Sequence, residues 1–258
     1  MTSKIETFAR LHIPGNPLIL FNIWDAGSAK AVAEAGALAI ATGSYGVAEA
    51  QGFKDGEAFT LDLALTNLER IVGVTDLPVT LDMESGYGAT AEDVGRSVAA
   101  ARAAGAVGIN LEDRMPGIAE LTPVAEQARR IAAAAASGLF VNARCDVFRG
   151  KAAEVHGPEL VEQVLERARA YADAGAKGLF LPFTTHRACI AAICERSPLP
   201  INIIWTPSSA GGFSSRDELA ELGVARISHG HRPWAAAMDW VLAAAKTVLS
   251  GNAPPYDS

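Results

Sequence analysis

Three stretches of this 258-residue chain set carboxylates, amides and a guanidinium two residues apart, each where an apolar run ends. Asp82 and Glu84 stand in Leu81-Asp-Met-Glu-Ser-Gly-Tyr-Gly88, ahead of a glycine-rich turn. Asn110 and Glu112 close the run that begins at Gly108, and Asn142, Arg144 and Asp146 follow Val141. Side chains on a strand alternate between faces, so the members of each set share one face. One such pair means little. Three, each at the exit of an apolar strand, describe a convergent polar site.

The residue types suggest the chemistry. Asp82, Glu84 and Glu112, joined by Asp55 from the loop after the second strand, offer hard oxygen ligands. Carboxylates gathered in one cavity repel one another unless protonated or neutralised by a cation. Magnesium, with Mn2+ able to replace it, takes one or two carboxylates directly and keeps waters and substrate oxygens. For each carboxylate taken singly, a helix-capping or loop role stays open. Arg144 can grip a substrate carboxylate through two parallel hydrogen bonds, or it can pair with Asp146 or Glu112. Thr42, Gly43 and Ser44 could hold a carboxylate through hydroxyl and backbone N–H groups, although Gly43 could simply permit a tight turn.

These groups need a scaffold that brings strand exits together. Four segments, 34–43, 104–112, 174–182 and 222–229, run from an alanine-rich helix through glycine into a short apolar strand. Between them lie four more strand candidates, Leu18–Ile23, Pro78–Leu81, Leu139–Ala143 and Ile201–Trp205. Helices are expected near 27–35, 60–74, 91–104, 123–136, 158–174, 185–195, 215–222 and 232–249. Thr90 with Asp93, and Ser214 with Asp217, have the spacing of a capping-box variant, and Pro123 suits an early helical position. Eight strand–helix units favour one closed (β/α)8 TIM barrel over residues 1–258, whose active site lies at the C-terminal ends of the strands. Asn202 falls within or at the end of the seventh strand. Lys54, the only lysine close to the carboxylate segments in sequence, lies in a loop, and Lys177 falls at the opposite end of the barrel, which argues against imine chemistry.

Composition narrows the function classes. Half the residues are apolar, and the formal net charge of -7 has no basic block to set against it, which argues against a nucleic-acid surface. No glycine-rich dinucleotide or P-loop fingerprint follows a strand. The polar start MTSKIETFARLH lacks the apolar core of a signal peptide, and no apolar stretch spans a membrane. Cys145, Cys189 and Cys194 form neither a disulfide framework nor a zinc spacing. A reduced, cytoplasmic protein with a frayed tail over Gly251–Ser258 is expected.

The strand-exit residues resemble those of the isocitrate lyase/phosphoenolpyruvate mutase superfamily. The matching elements are Asn22-Ile-Trp24-Asp25, Thr42-Gly-Ser44, Gly52-Phe-Lys-Asp55-Gly56, Leu81-Asp-Met-Glu84-Ser-Gly-Tyr-Gly88, Gly108-Ile-Asn-Leu-Glu112-Asp113 and Val141-Asn-Ala-Arg144-Cys-Asp146. The resemblance implies an α/β barrel that binds magnesium and a 2-oxo acid or its enolate. It makes Asp82 the nearest metal ligand, with Asp55, Glu84 and Glu112 acting largely through water. It sets Thr42, Gly43 and Ser44 around one end of the substrate and Arg144 near the other, with Trp24 and Asn202 as further substrate contacts. It also implies homo-oligomers, dimers or tetramers, in which the last helix packs into a neighbouring barrel; Trp234–Leu249 suits that exchange, although a helix packed within its own chain gives the same pattern.

Departures from the superfamily pattern concern proton transfer. The lyases' gating loop after the fourth strand carries lysine and cysteine; here Glu112-Asp-Arg-Met-Pro-Gly-Ile-Ala-Glu-Leu-Thr-Pro123 has neither. The mutases' lysine and asparagine in that loop are missing as well. Glu84 replaces the more usual aspartate, and Pro182-Phe183 lacks the acidic residue typical of the methylisocitrate-cleaving branch. Tyr45, His186 and Arg114 are the candidate substitutes, with Tyr45, Asp55 and Arg144 carried forward as catalytic candidates; His186 could equally cap a helix. Cys145, opposite Arg144, reads as buried packing. The expected activity is magnesium-dependent lysis of a small oxo- or hydroxy-di- or tricarboxylic acid through an enolate. The alternatives are a phosphonopyruvate- or oxaloacetate-type hydrolase or mutase, and a non-catalytic 2-oxo acid binding protein.

Overall fold

A computed structural model describes residues 3–256. Its centre is a ring of short parallel strands: β1 (Leu18–Leu20), β2 (Asn22–Ile23), β3 (Ile40–Thr42), β4 (Val79–Asp82), β5 (Gly108–Glu112), β6 (Phe140–Arg144), β7 (Gly178–Leu181), β8 (Ile201–Ile204) and β9 (Arg226–Ser228). β1 and β2 are one barrel strand divided at Phe21. There the chain changes partner, from β9 for its first half to β3 for its second, and so joins the two ends of the sheet. Eight strands in this sense, with helices outside, make the expected (β/α)8 TIM barrel.

The helices follow the alanine-rich segments: α1 (Lys4–Arg10), α2 (Ala26–Glu34), α3 (Ser44–Ala50), α4 (Leu61–Val72), α5 (Ala91–Ala103), α6 (Val124–Ala135), α7 (Pro158–Asp173), α8 (Arg187–Arg196), α9 (Arg216–Glu221) and α10 (Arg232–Leu249). Of these, α1 and α3 were not among the expected helices. Thr90 and Asp93 form the capping box read from their spacing. The second box differs by one residue. Ser215 accepts from the Glu218 backbone, and the longer Glu218 side chain reaches back to Ser214 N at 2.9 Å, which Asp217 does not do. Pro123 is extended, so it caps α6 from outside and the helix starts at Val124.

Most apolar side chains fill the layer between strands and helices. A separate cluster closes the N-terminal end of the barrel, where Phe8 of α1, 0% exposed, packs with Leu18, Leu20, Ala39, Ala41, Val107 and Phe140. Beside it, within the ring, lies a buried polar layer. Asn142 donates to Asn110 Oδ1 at 2.9 Å and to Asn202 Oδ1 at 3.1 Å, and Arg226 Nη2 reaches Asn110 Oδ1 at 3.3 Å. Among the described residues no helix is long and apolar enough to cross a membrane, and all three cysteines are free. From Asn252 through Tyr256 the chain is in neither helix nor strand; Asp257 and Ser258, like Met1 and Thr2, lie outside the described residues.

Candidate active site

β3 and β4 are linked by hydrogen bonds at their C-terminal ends. The Asp82 backbone donates to Thr42 Oγ1 at 2.9 Å, and the Ser44 backbone donates to Asp82 Oδ2 at 3.1 Å. This second bond is available because α3 begins at Ser44, with Gly43 as its cap. A β-carbon at Gly43 would come within 3.4 Å of the Gly230 carbonyl, so the turn is closely packed there.

Past Asp82 the strand ends, and the period-two rule stops with it. Glu84 takes a left-handed backbone (φ 50°) in a turn completed by Gly86 (φ 105°), where a β-carbon would lie 2.8 Å from Leu111 Cδ1. A non-glycine residue holds this conformation at some cost, and two fixed contacts over-determine it. Glu84 O accepts from Glu112 N at 2.8 Å, and Glu84 Oε2 accepts from Glu57 N at 2.8 Å. Glu57 also takes hydrogen bonds from Ser85 Oγ and Tyr87 N, so the loop bearing Asp55 is fastened to the turn bearing Glu84. Nothing in the spacing of the sequence singled out Glu57.

Arg144 leaves β6 and makes both of the ion pairs open to it. Its Nη1 lies 2.6 Å from Glu112 Oε2, while Nε and Nη2 lie 2.7 and 3.0 Å from the two oxygens of Asp146. Asp146 is itself held from behind: its backbone donates to Asp113 Oδ1 at 2.9 Å, and Asp113 Oδ2 takes Arg167 and Tyr171 at 3.1 and 2.9 Å. Burial alone would lower the Arg144 pKa, but Glu112 and Asp146 reverse the direction and hold it charged.

Ser44, Asp55, Glu84, Glu112 and Arg144 line one cavity of about 400 Å3, together with Arg114, Arg149 and the segment Met115–Ala119. Thr42, Ser44, Asp82 and Glu84 line a small enclosed pocket with Leu81 and Tyr87. Other expected contacts lie elsewhere. Tyr45 packs edge-on against His231 and Trp234, at 5.3 and 5.7 Å between ring centroids. Trp24 packs with Val47, Ala48 and Phe59, and Asn202 is buried in the interior polar layer. His186 caps α8 by accepting from Cys189 N, and Cys145 is buried. Arg149 lines the cavity and was not anticipated; its only signal was its place five residues after Arg144, in the loop leaving a barrel strand.

Charge in the cavity is poorly compensated. Burial, then Asp55 and Asp82, push the Glu84 carboxyl up to about 8. Burial pushes Glu112 up to about 7 against the opposing pull of Arg144. Asp55 is raised too, by burial and by Asp82. Among the described residues no three Asp, Glu, His or Cys side chains converge closely enough to make a ready chelate. The donor set suits a cation that keeps most of its water and relieves the mutual repulsion of Asp55, Asp82 and Glu84.

The model of the phosphoenolpyruvate phosphomutase family matches residues 8–249. The chain belongs to that family. Within the wider isocitrate lyase/phosphoenolpyruvate mutase superfamily it is similar to 2-methylisocitrate lyase from Salmonella typhimurium, 32% identical over 83% of this chain and 78% of that one. It is similar to oxaloacetate decarboxylase from Rhodopseudomonas palustris, 32% identical over 79% of this chain and 70% of that one. The crystal structure of a candidate phosphonomutase from Burkholderia cenocepacia J2315 superposes with a TM-score of 0.90 at 49% identity, covering 94% of this chain and 97% of that one. In this phosphomutase-family barrel the segment after the fourth barrel strand forms a wall of the cavity. Arg114 to Ala119 bring arginine, methionine and apolar residues to it, and neither lysine nor cysteine.

Proposed function

We propose that this family member is a magnesium-dependent carbon–carbon lyase that cleaves a small oxo- or hydroxy-di- or tricarboxylic acid through the enolate of a 2-oxo acid. The observation that carries the reading is the convergence of Asp55, Glu84, Glu112 and Arg144 on one cavity, with Asp82 bonded beneath it to Ser44. Magnesium, when bound, supplies positive charge next to the developing enolate oxygen. Asp82, with Asp55, Glu84 and Glu112, would hold it. Ser44 N fixes the Asp82 carboxylate, and Glu57 N fixes that of Glu84. Arg144, kept cationic by its two acidic partners, opposes negative charge on the bound acid.

The make-up of the loop favours one form of this cleavage. Splitting a hydroxy acid requires a base to take the hydroxyl proton; Met115–Ala119 offer none, so the base would have to come from the cavity carboxylates this reading assigns to the cation. Loss of carbon dioxide from a 3-carboxy-2-oxo acid requires only that the electron pair of the broken C–C bond be accepted as an enolate, which is protonated afterwards. The relatives that decarboxylate oxaloacetate support this second form. The absent loop lysine and asparagine weigh against phosphoryl migration, although the 49%-identical structure keeps C–P chemistry as the rival.

Incubation with magnesium and a panel of oxaloacetate, hydroxy-di- and tricarboxylates and phosphonopyruvate tests the assignment. The expected products are a 2-oxo acid with carbon dioxide or a second carboxylic acid. Turnover of phosphonopyruvate alone, to phosphoenolpyruvate or to pyruvate with inorganic phosphate, or binding with no turnover of any compound, would overturn it.

A homo-oligomer belongs to the same proposal. α10 turns apolar side chains outward, with Trp240 55% and Leu249 87% exposed. An apolar groove of about 610 Å3, lined by Ile13, Ile19, Phe21, Val32 and Leu38, lies between β1 and α2. The last helix of a second copy is a natural occupant for it, as the resemblance implies.

A further inference from the structure

Three guanidinium groups converge on the Asp146 carboxylate, whose side chain is 0% exposed. Asp146 Oδ2 lies 3.0 Å from Arg144 Nη2, 3.1 Å from Arg149 Nη1 and 3.7 Å from Arg114 Nε. Glu112, 2.6 Å from Arg144, is the second acid bonded to this group. Three guanidinium groups thus meet two carboxylates here, and Asp55, on the wall of the same cavity, is the next acid that Arg144 and Arg149 act on.

The three arginines are not equally free. Arg144 spends Nη1 on Glu112, and Nε and Nη2 on Asp146. Arg114 bonds the Ala119 carbonyl through Nη1 and so braces its own loop. Arg149 differs. Among the described residues only Asp146 accepts a hydrogen bond from it, through Nη1, and its side chain is 44% exposed where it lines the cavity. The Phe183 ring orients it, with Arg149 Cζ 5.3 Å and Arg144 Cζ 5.4 Å from the ring centroid. Phe183 stands in the segment after the sixth barrel strand, Pro182-Phe183, which carries no acid to cancel the charge.

We infer that Arg149 determines specificity for a second acidic group on the substrate, a carboxylate or phosphonate distal to the 2-oxo or 2-hydroxy acid end. This rests on the 2-oxo acid reading of the cavity given above. Asp146 aims the guanidinium through Nη1, which leaves Nε and Nη2 for the oxyanion. A fork of two N–H donors matches either group in geometry.

Calorimetric titration in magnesium with oxalate, malate and phosphonopyruvate tests the inference on the wild-type chain, Arg149→Met and Arg149→Lys. Oxalate, with two carbons, has no distal acid. Arg149→Met is expected to weaken malate, phosphonopyruvate or both at least tenfold, while oxalate changes less than twofold. Arg149→Lys recovers part of the loss, since it keeps the charge and loses the fork. Whether the loss falls on malate or on phosphonopyruvate tells which distal group the site takes. Equal weakening of all three ligands would show a structural role through Asp146 and overturn the inference. So would unchanged binding of both distal acids, or a wild-type chain that binds oxalate but neither of them. A wild-type chain that binds none of the three overturns the 2-oxo acid reading itself.

Discussion

The two ends of the barrel interior each hold buried charge, and they hold it differently. At the C-terminal mouth, Asp55, Asp82, Glu84 and Glu112 crowd one another, and Glu84 and Glu112 are pushed up to about 8 and about 7. At the N-terminal end, Arg226 is fully buried with no partner for Nε and Nη1 among the described residues, and burial lowers it to about 9. His12 nearby is lowered to about 3, first by burial and then by Arg226. Phe8 and Phe140 pack around His12, which lies 4.8 and 4.2 Å from their rings between centroids. The floor is closed by aromatic packing, while the mouth opens on a cavity. A lone cation under a sealed floor serves structure; a group of acids beside an open space is arranged for something that enters.

The largest effects should separate the ends by stability. Phe8→Ala removes the floor's central side chain and is expected to cost about 3–5 kcal/mol in denaturant unfolding. Glu84→Gln at the mouth is expected to do the reverse in metal-free protein above pH 7. Folded Glu84 binds its proton up to about 8 whereas the unfolded carboxyl loses it near 4.5, so wild-type stability falls as pH rises through that window. Glutamine removes this loss and can still accept from Glu57 N. A mouth variant that destabilised as much as Phe8→Ala would erase the contrast.

A smaller effect concerns His12. The unfolded histidine protonates below about 6.5, while the folded one stays neutral down to about 3, so the unfolded state binds more protons between those values. The stability His12 contributes is therefore complete above pH 6.5 and falls as the pH drops. Unfolding curves at pH 6.5 and 5 should show His12→Gln losing up to about 2 kcal/mol less than wild type over that interval. Equal losses would mean that His12 titrates normally and the floor is wetter than its packing indicates.

The mouth was more legible in sequence than the floor, for physical reasons. Strand exits announce themselves, because Asp82, Glu112 and Arg144 break apolar runs at fixed spacing. Glu84 was found by the same rule although its backbone no longer obeys it; the side chain reaches the cavity from a left-handed turn. Arg149 was missed because loop residues carry no periodicity. Tyr45 was expected as a substitute for the missing proton-transfer residues and Trp24 as a substrate contact, yet α3 turns Tyr45 toward Trp234, and Trp24 packs with Phe59. The floor depends on α1, a seven-residue helix whose capping box, Ser3 with Glu6, lies in a segment read only as polar. Asn202 sits on a strand as expected, but one layer too deep to meet the cavity.

On the proposed reading, the acids of the mouth hold a divalent cation for an enolate-forming reaction. Calorimetric titration of magnesium in the presence of oxalate, on wild type and Asp82→Ala, tests it most directly. One ion per chain is expected for wild type and affinity at least tenfold weaker for Asp82→Ala, with the variant as stable to denaturant as wild type. Equal magnesium affinity in the two proteins would contradict it.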